Sequence, residues 1–242
     1  MSSDRDYELK LFRERPFSLR QYPKHQDDYE AVQAALRTNV DALQFASDRL
    51  KEDPTFMIEA IKINKEAIKY ASEKLKSNPT FMSDAFPNKK ETLEYASPIL
   101  KGDKLFVMDI VSRIPYTLEH ASDALKADKD VVMAAVSKDG FSLRLASVEL
   151  KADREVVLAA VTQYGKALQY ASPELKADEE VVNAATNKDE CALQYASQEL
   201  KDKSNFYRTE DYSKCFGEGG SRRKRRTRRR KSRKAKKSNR LL

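Results

Sequence analysis

The pair Ala-Ser recurs at Ala46-Ser47, Ala71-Ser72, Ala96-Ser97, Ala121-Ser122, Ala146-Ser147, Ala171-Ser172 and Ala196-Ser197, always 25 residues apart and without insertion or deletion. Three residues past each Ser stands a Leu followed by a Lys, from Leu50-Lys51 to Leu200-Lys201. Self-similarity at a fixed period of this size marks an array of stacked units. No single unit can bury its own apolar stripe, so its stability must come from neighbours.

The unit running from Ala152 to Lys176 predicts three short helical pieces. Asp153 is a natural N-cap, and Glu155 in the first turn suits the positive end of the helix dipole. Val156, Val157, Ala160 and Val161 fall on one face of that helix. Gly165, like Gly140 one unit earlier, is expected to end the first helix in the left-handed conformation. A shorter second helix then turns Ala167, Leu168 and Ala171 inward. In Ser172-Pro173 the Ser reads as an N-cap and Pro as the first residue of a one-turn segment, which carries its Leu into the core. The fold class is therefore all-α: a solenoid of seven 25-residue repeats, each with two short helices plus a one-turn segment.

The expected layout is an N-terminal cap at 1–26, repeats at 27–201, a partial C-terminal cap with a Gly-rich hinge at 202–220, and a disordered basic tail at 221–242. Tyr7, Leu9, Leu11, Phe12, Phe17 and Tyr22 give the N-terminal arm apolar surface to cover the end of the stack, while Pro16 and Pro23 argue against one long helix. Pro87, Pro115 and Gly102 depart from the consensus in the third and fourth repeats. They point to sequence drift, with a local bend or altered groove as the alternative. Phe206 and Tyr207 fall in the columns of Val181 and Val182 and suggest a half-unit cap, and Gly217–Gly220 reads as the hinge.

Charge is segregated along the chain. Of 46 Lys and Arg, 14 lie in residues 221–242, which contain no acid; the other 32 face 38 Asp and Glu, so the body carries about −6. The tail repels itself and offers almost nothing to pack, so it is expected to be disordered when free. Cys191 and Cys215 lie too near the C-terminal end to staple the array; a disulfide scaffold is not expected, which fits a reducing compartment. The first residues are charged where a signal peptide needs an apolar run, and no stretch has the length and apolarity of a membrane span.

The wording Ala-Leu-Gln-Tyr-Ala-Ser-Pro-Glu-Leu-Lys-Ala-Asp-Glu-Glu-Val-Val, at 167–182, resembles a family catalogued as a domain of unknown function, number 4116 in its series. The resemblance covers roughly 27–201 and is tightest in the last three repeats. It implies no activity, cofactor or catalytic residue. A Lys/Arg/Ser-rich tail behind a small repeat domain is similar to tails of large-DNA-virus proteins.

Several columns invite functional readings. Capping accounts for the Ser column (Ser47, Ser72, Ser97, Ser122, Ser147, Ser172, Ser197) better than nucleophilic chemistry does. The Lys column (Lys51, Lys76, Lys101, Lys126, Lys151, Lys176, Lys201) could track phosphates. The acidic body favours instead a helix-terminus role, or pairing with an acid of the next helix such as Glu155 or Glu180. The aromatic column (Phe45, Tyr70, Tyr95, Tyr170, Tyr195) could stack bases, but His120 and Leu145 share it, which favours packing. His25 and His120 are far apart, no zinc spacing or phosphate-binding loop is present, and no cofactor is expected. Asp27-Asp28 and Glu179-Glu180 read as helix-start charges rather than an acid/base couple.

The tail carries the functional expectation: Arg222, Arg223, Lys224, Arg225, Arg226, Arg228, Arg229, Arg230, Lys231, Arg233, Lys234, Lys236 and Lys237 engage nucleic acid phosphates or an import receptor. Without bulky apolar residues or an acylation signal, membrane binding is disfavoured. Thr227, Ser232 and Ser238 could lower the tail's charge if phosphorylated. The chain thus reads as a non-enzymatic scaffold, soluble and intracellular, with a protein partner on the solenoid. The nucleus is favoured over the cytoplasm in a eukaryotic host. Two alternatives are a structural, genome-associated component of a large virus particle, and a solenoid that itself binds single-stranded nucleic acid.

Overall fold

The structure, a computed structural model, describes residues 2–204 and Cys215. Among these residues every regular element is helical, and the chain divides into two compact units, Met1–Ala135 and Val136–Leu242. The 25-residue period holds in both. Each repeat opens with a longer α-helix, continues with a short second helix, and closes with a single helical turn. The sixth repeat is representative: Arg154–Gln163, Gly165–Tyr170 and Leu175–Ala177.

Aspartate and asparagine set where the first helices begin. Asp28, Asp53, Asn78, Asp103, Asp128, Asp153 and Asp178 each accept backbone N–H groups of the first turn with their side chains. Each such cap is worth about 1 kcal/mol. The helices then bury the expected stripe: Phe56, Met57, Ala60 and Ile61 in the second repeat, Val156, Val157, Ala160 and Val161 in the sixth. The second helix is 3₁₀ in every repeat but the third, where it is the α-helical turn Glu91–Glu94. It occupies only six residues, held between an extended cap residue such as Asn64 and an extended Ala such as Ala71. Tighter i→i+3 bonding suits so short a span.

All seven Ser residues act as caps. Their Oγ atoms accept the N–H of the Leu three residues on, at 3.2–3.4 Å. The same residues also link repeats. In the first unit the N–H groups of Ser72, Ser97 and Ser122 donate to the carbonyls of Lys51, Lys76 and Lys101 at 2.9–3.0 Å. In the second unit Ser172 and Ser197 do so to Lys151 and Lys176, at 2.9 and 2.8 Å. The Ala-Ser and Leu-Lys signatures are thus the two sides of one connection.

The N-terminal arm is itself a degenerate repeat. Helix Ser2–Glu14 is followed by 3₁₀ segments Pro16–Gln21 and Pro23–His25, with each proline at a first helical position, where its missing N–H costs nothing. Gln26 supplies the carbonyl that Ser47 N–H binds, at 2.7 Å, so it stands in the Lys column and His25 in the Leu column. Phe12 and Leu19 are fully buried, whereas Tyr7 and Phe17 remain exposed. Arg5 holds Asp28 at 2.6 Å and Glu30 at 2.8 Å, fixing the arm to the first repeat.

Two expectations need correction. Gly140 and Gly165 do not adopt a left-handed C-cap; each begins the 3₁₀ helix. A Cβ on Gly140 would lie 2.1 Å from the Ala160 carbonyl oxygen, and one on Gly165 2.4 Å from that of Ala185. Glycine is therefore required by close approach of the next repeat's first helix. Second, Cys191 and Cys215 form a disulfide, with Cα atoms 5.3 Å apart. It joins the seventh repeat to chain beyond the array, so it does not staple repeat to repeat; their separation of 24 residues, about one period, lets them meet. The departures in repeats three and four are local. Pro115 opens a 3₁₀ helix like its counterparts, and a Cβ on Gly102 would meet nothing closer than 3.5 Å. Only the third repeat changes its backbone, where Asn88 takes a φ of 54° between Phe86 and the Glu91–Glu94 turn.

The final helical turn extends to Lys203, two residues past the expected end of the repeats. Phe206 and Tyr207, the hinge Gly217–Gly220 and the tail lie outside the described residues. No helix among the described residues is long and apolar enough to cross a membrane.

Candidate interaction surfaces

The thirteen tail cations from Arg222 to Lys237 all lie outside the described residues, so the surfaces available are those of the repeats. Among the described residues no group of His, Cys, Asp and Glu is arranged to hold a metal ion. His25 is buried with Nε2 3.1 Å from the Glu8 carboxylate, and His120 belongs to another repeat, where burial pushes its pKa down. Of the acidic pairs, Asp28 and both Glu179 and Glu180 do sit at helix starts, whereas Asp27 instead accepts from Ser47 and Arg49.

The Lys column is half-buried in all seven repeats. Its partners differ from expectation. The acids at the start of the next long helix are held by the cation opening the preceding one: Asp128 and Asp130 by Lys104, Asp178 and Glu180 by Arg154. The column lysines Lys51, Lys76 and Lys126 find their partners within their own repeats. Lys51 and Lys76 donate to carbonyls near the end of the 3₁₀ helix, at Gln44 and Lys69, and Lys76 and Lys126 also reach Glu73 and Asp123.

The aromatic column is half-buried as well, which combines packing with a solvent-facing edge. In the first unit its hydroxyls are taken. Tyr70 donates to Asp41 at 2.7 Å, and Tyr95 to Glu66 at 3.5 Å, each acid belonging to the preceding repeat. In the second unit the position of Asp41 and Glu66 is filled by Phe141, an exposed ring. Phe141 packs edge-on against Tyr164 and Tyr170, with centroids 6.1 and 5.6 Å away. The Arg144 guanidinium lies over the Phe141 ring at 5.3 Å. Burial, and secondarily the Arg144 charge, lowers the pKa of Lys151; burial alone lowers that of Lys176. Among the described residues no carboxylate pairs with Arg144, Lys151 or Lys176; Glu149 and Glu174 turn back onto Ser147 and Ser172 of their own turns.

The family model described as Domain of unknown function (DUF4116) matches residues 53–101, 103–151 and 153–201. The chain belongs to that family. Each match spans two 25-residue repeats and begins at a first-helix cap, Asp53, Asp103 or Asp153, so the family unit is a pair of the repeats seen here. The first repeat lies outside the matched residues yet keeps the same three-part architecture, Tyr29–Leu36, Val40–Phe45 and Asp48–Glu52. No curated protein and no solved structure matches the chain.

The sequence reading missed the cluster around Phe141. Its signal was available: the column containing Asp41, Glu66 and Glu91 turns apolar or basic at Tyr116, Phe141 and Lys166. A column scored for pattern alone hides that change of chemistry.

Proposed function

We propose that the chain is a non-enzymatic interaction scaffold, in which the helical repeats present a surface to a protein partner and the basic tail engages nucleic acid phosphates or an import receptor. The observation that carries this reading is the segregation of charge, with 14 cations and no acid in residues 221–242. Such a density far exceeds what solubility requires, and it acts electrostatically on phosphates without reading bases. Entry to the nucleus of a eukaryotic host uses the same residues. A role as a genome-associated component of a virus particle rests on the same tail and differs in copy number, which is high for a particle component and low for an adaptor.

The test is a titration of the full chain and of residues 1–220 against duplex DNA and single-stranded RNA at two salt concentrations. If about eight tail cations replace counterions on duplex DNA, log K falls with log salt at a slope of about −7 and binding is lost with the tail. A shallow slope, or duplex binding kept by residues 1–220, removes the tail from this role.

A further inference from the structure

The tail is one polycation, but the repeats hold a second basic feature of different chemistry. Arg144 lies over the exposed Phe141 ring and acts repulsively on Lys151, neither is paired with an acid among the described residues, and the body is negative overall. Two like charges held together beside a desolvating surface are relieved by a bound anion. In the first two repeats the corresponding positions neutralise themselves: Asp41 and Glu66 occupy the place of Phe141, and Lys69 is paired with Glu66. The second unit also leaves the Tyr170 hydroxyl without the carboxylate that engages its counterparts Tyr70 and Tyr95.

We infer that the second-unit face carrying Phe141, Arg144, Lys151, Tyr170 and Lys176 binds single-stranded nucleic acid, the cations meeting phosphates and the rings meeting unpaired bases. Charge complementarity selects a polyanion, and the ring cluster selects one with planar, unstacked groups. An acidic peptide would use the cations and leave the rings idle. A duplex keeps its bases stacked internally and would use only the charges. None of these residues belongs to the tail, so this inference stands whether or not the tail binds nucleic acid.

The experiment is ultraviolet crosslinking of the full chain to oligo(dT) and, separately, oligo(U) of about twelve nucleotides, a length within the usual single-strand site sizes. Salt of roughly 0.3 M weakens the tail's electrostatic contacts, and adducts are mapped by peptide mass. Adducts on Phe141, Tyr164 or Tyr170 are expected, and the preferred oligonucleotide distinguishes RNA from DNA. Their yield should fall about tenfold in the triple variant Arg144→Gln, Lys151→Gln, Lys176→Gln, which removes three phosphate contacts. The matched first-unit variant Lys69→Gln, Lys76→Gln, Lys101→Gln, three periods earlier, should leave the yield unchanged. If the triple variant loses its helical circular dichroism, Arg144→Gln alone replaces it, with an expected loss of about threefold. Adducts confined to residues 221–242, no adducts, equal loss in the first-unit variant, or equal competition by duplex DNA would each overturn the inference.

Discussion

The phenol of Tyr70 donates to Oδ1 of Asp41, 2.7 Å away and one repeat earlier. The bond joins two neighbouring repeats through side chains, and it pushes the Tyr70 pKa up to about 12, chiefly through the hydrogen bond itself. A folded pKa above the ordinary 10 means the contribution is whole below pH 10 and is lost as pH rises toward 12. Tyr29, bonded to Glu59, has the same sign and is also pushed up to about 12. Tyr70→Phe should cost about 0.5–1 kcal/mol at neutral pH and flatten part of the alkaline decline of the urea midpoint. Coincident pH curves for the two proteins would refute the contribution.

The glycines divide by what surrounds them. Gly140→Ala places a methyl 2.1 Å from the Ala160 carbonyl oxygen, and Gly165→Ala one 2.4 Å from that of Ala185. Each should destabilise by about 1–3 kcal/mol through overpacking. Gly102→Ala, with no neighbour nearer than 3.5 Å and an ordinary helical backbone, should be neutral or stabilise by about 0.4–1 kcal/mol. Thermal denaturation of the three variants checks the order; Gly102→Ala as damaging as Gly140→Ala would contradict the close-approach account.

At the N-terminal end, the hydrogen bond from Arg5 pulls the Asp28 pKa from 3.8 down to about 2. The lowered value means the arm's fastening is complete above about pH 4 and is lost as pH falls toward 2. Glu8 is lowered too, by Lys24 and then His25. Amide protection in helix Ser2–Glu14, corrected for intrinsic exchange, should therefore fall across that interval before protection in Arg154–Gln163 does. Arg5→Ala should already lower it at pH 6. A simultaneous loss in both helices would show that the arm has no separate acid response.

The Cys191–Cys215 bond predicts a specific mass pattern. Native protein alkylated without reductant should leave both cysteines unmodified, and trypsin should release one peptide pair that separates on reduction. Alkylation of both thiols in the unreduced protein would overturn the pairing. In the chain-entropy account, closing a loop of this length is worth about 3 kcal/mol. Cys191→Ser should therefore loosen attachment beyond Ser204 while leaving helix Arg154–Gln163 protected.

The columns that were legible in the sequence are those where one residue has one job. Asp153 and Ser172 cap because their side-chain oxygens suit exposed N–H groups, and the Val156, Val157, Ala160 and Val161 stripe follows from helical periodicity. The arm was harder to read because Tyr22, His25 and Gln26 replace the Ser, Leu and Lys of the signature, although His25 is still buried and the Gln26 carbonyl still binds the next Ser N–H. Gly140 was misread because its local sequence suggests a helix end, whereas its constraint comes from Ala160, in the following repeat. The Phe141 cluster had the same origin: its partners Tyr164 and Tyr170 are more than 20 residues away, and only stacking brings them together.

The link from Ser172 to Lys151 is made by main-chain atoms alone. A tandem copy of a 25-residue segment therefore arrives with its joint already formed, whatever its surface residues are. Lineages carrying this unit can lengthen or shorten the array by unequal exchange at the Ala-Ser seam. Outward positions remain free to diverge, as they have between Asp41 and Phe141.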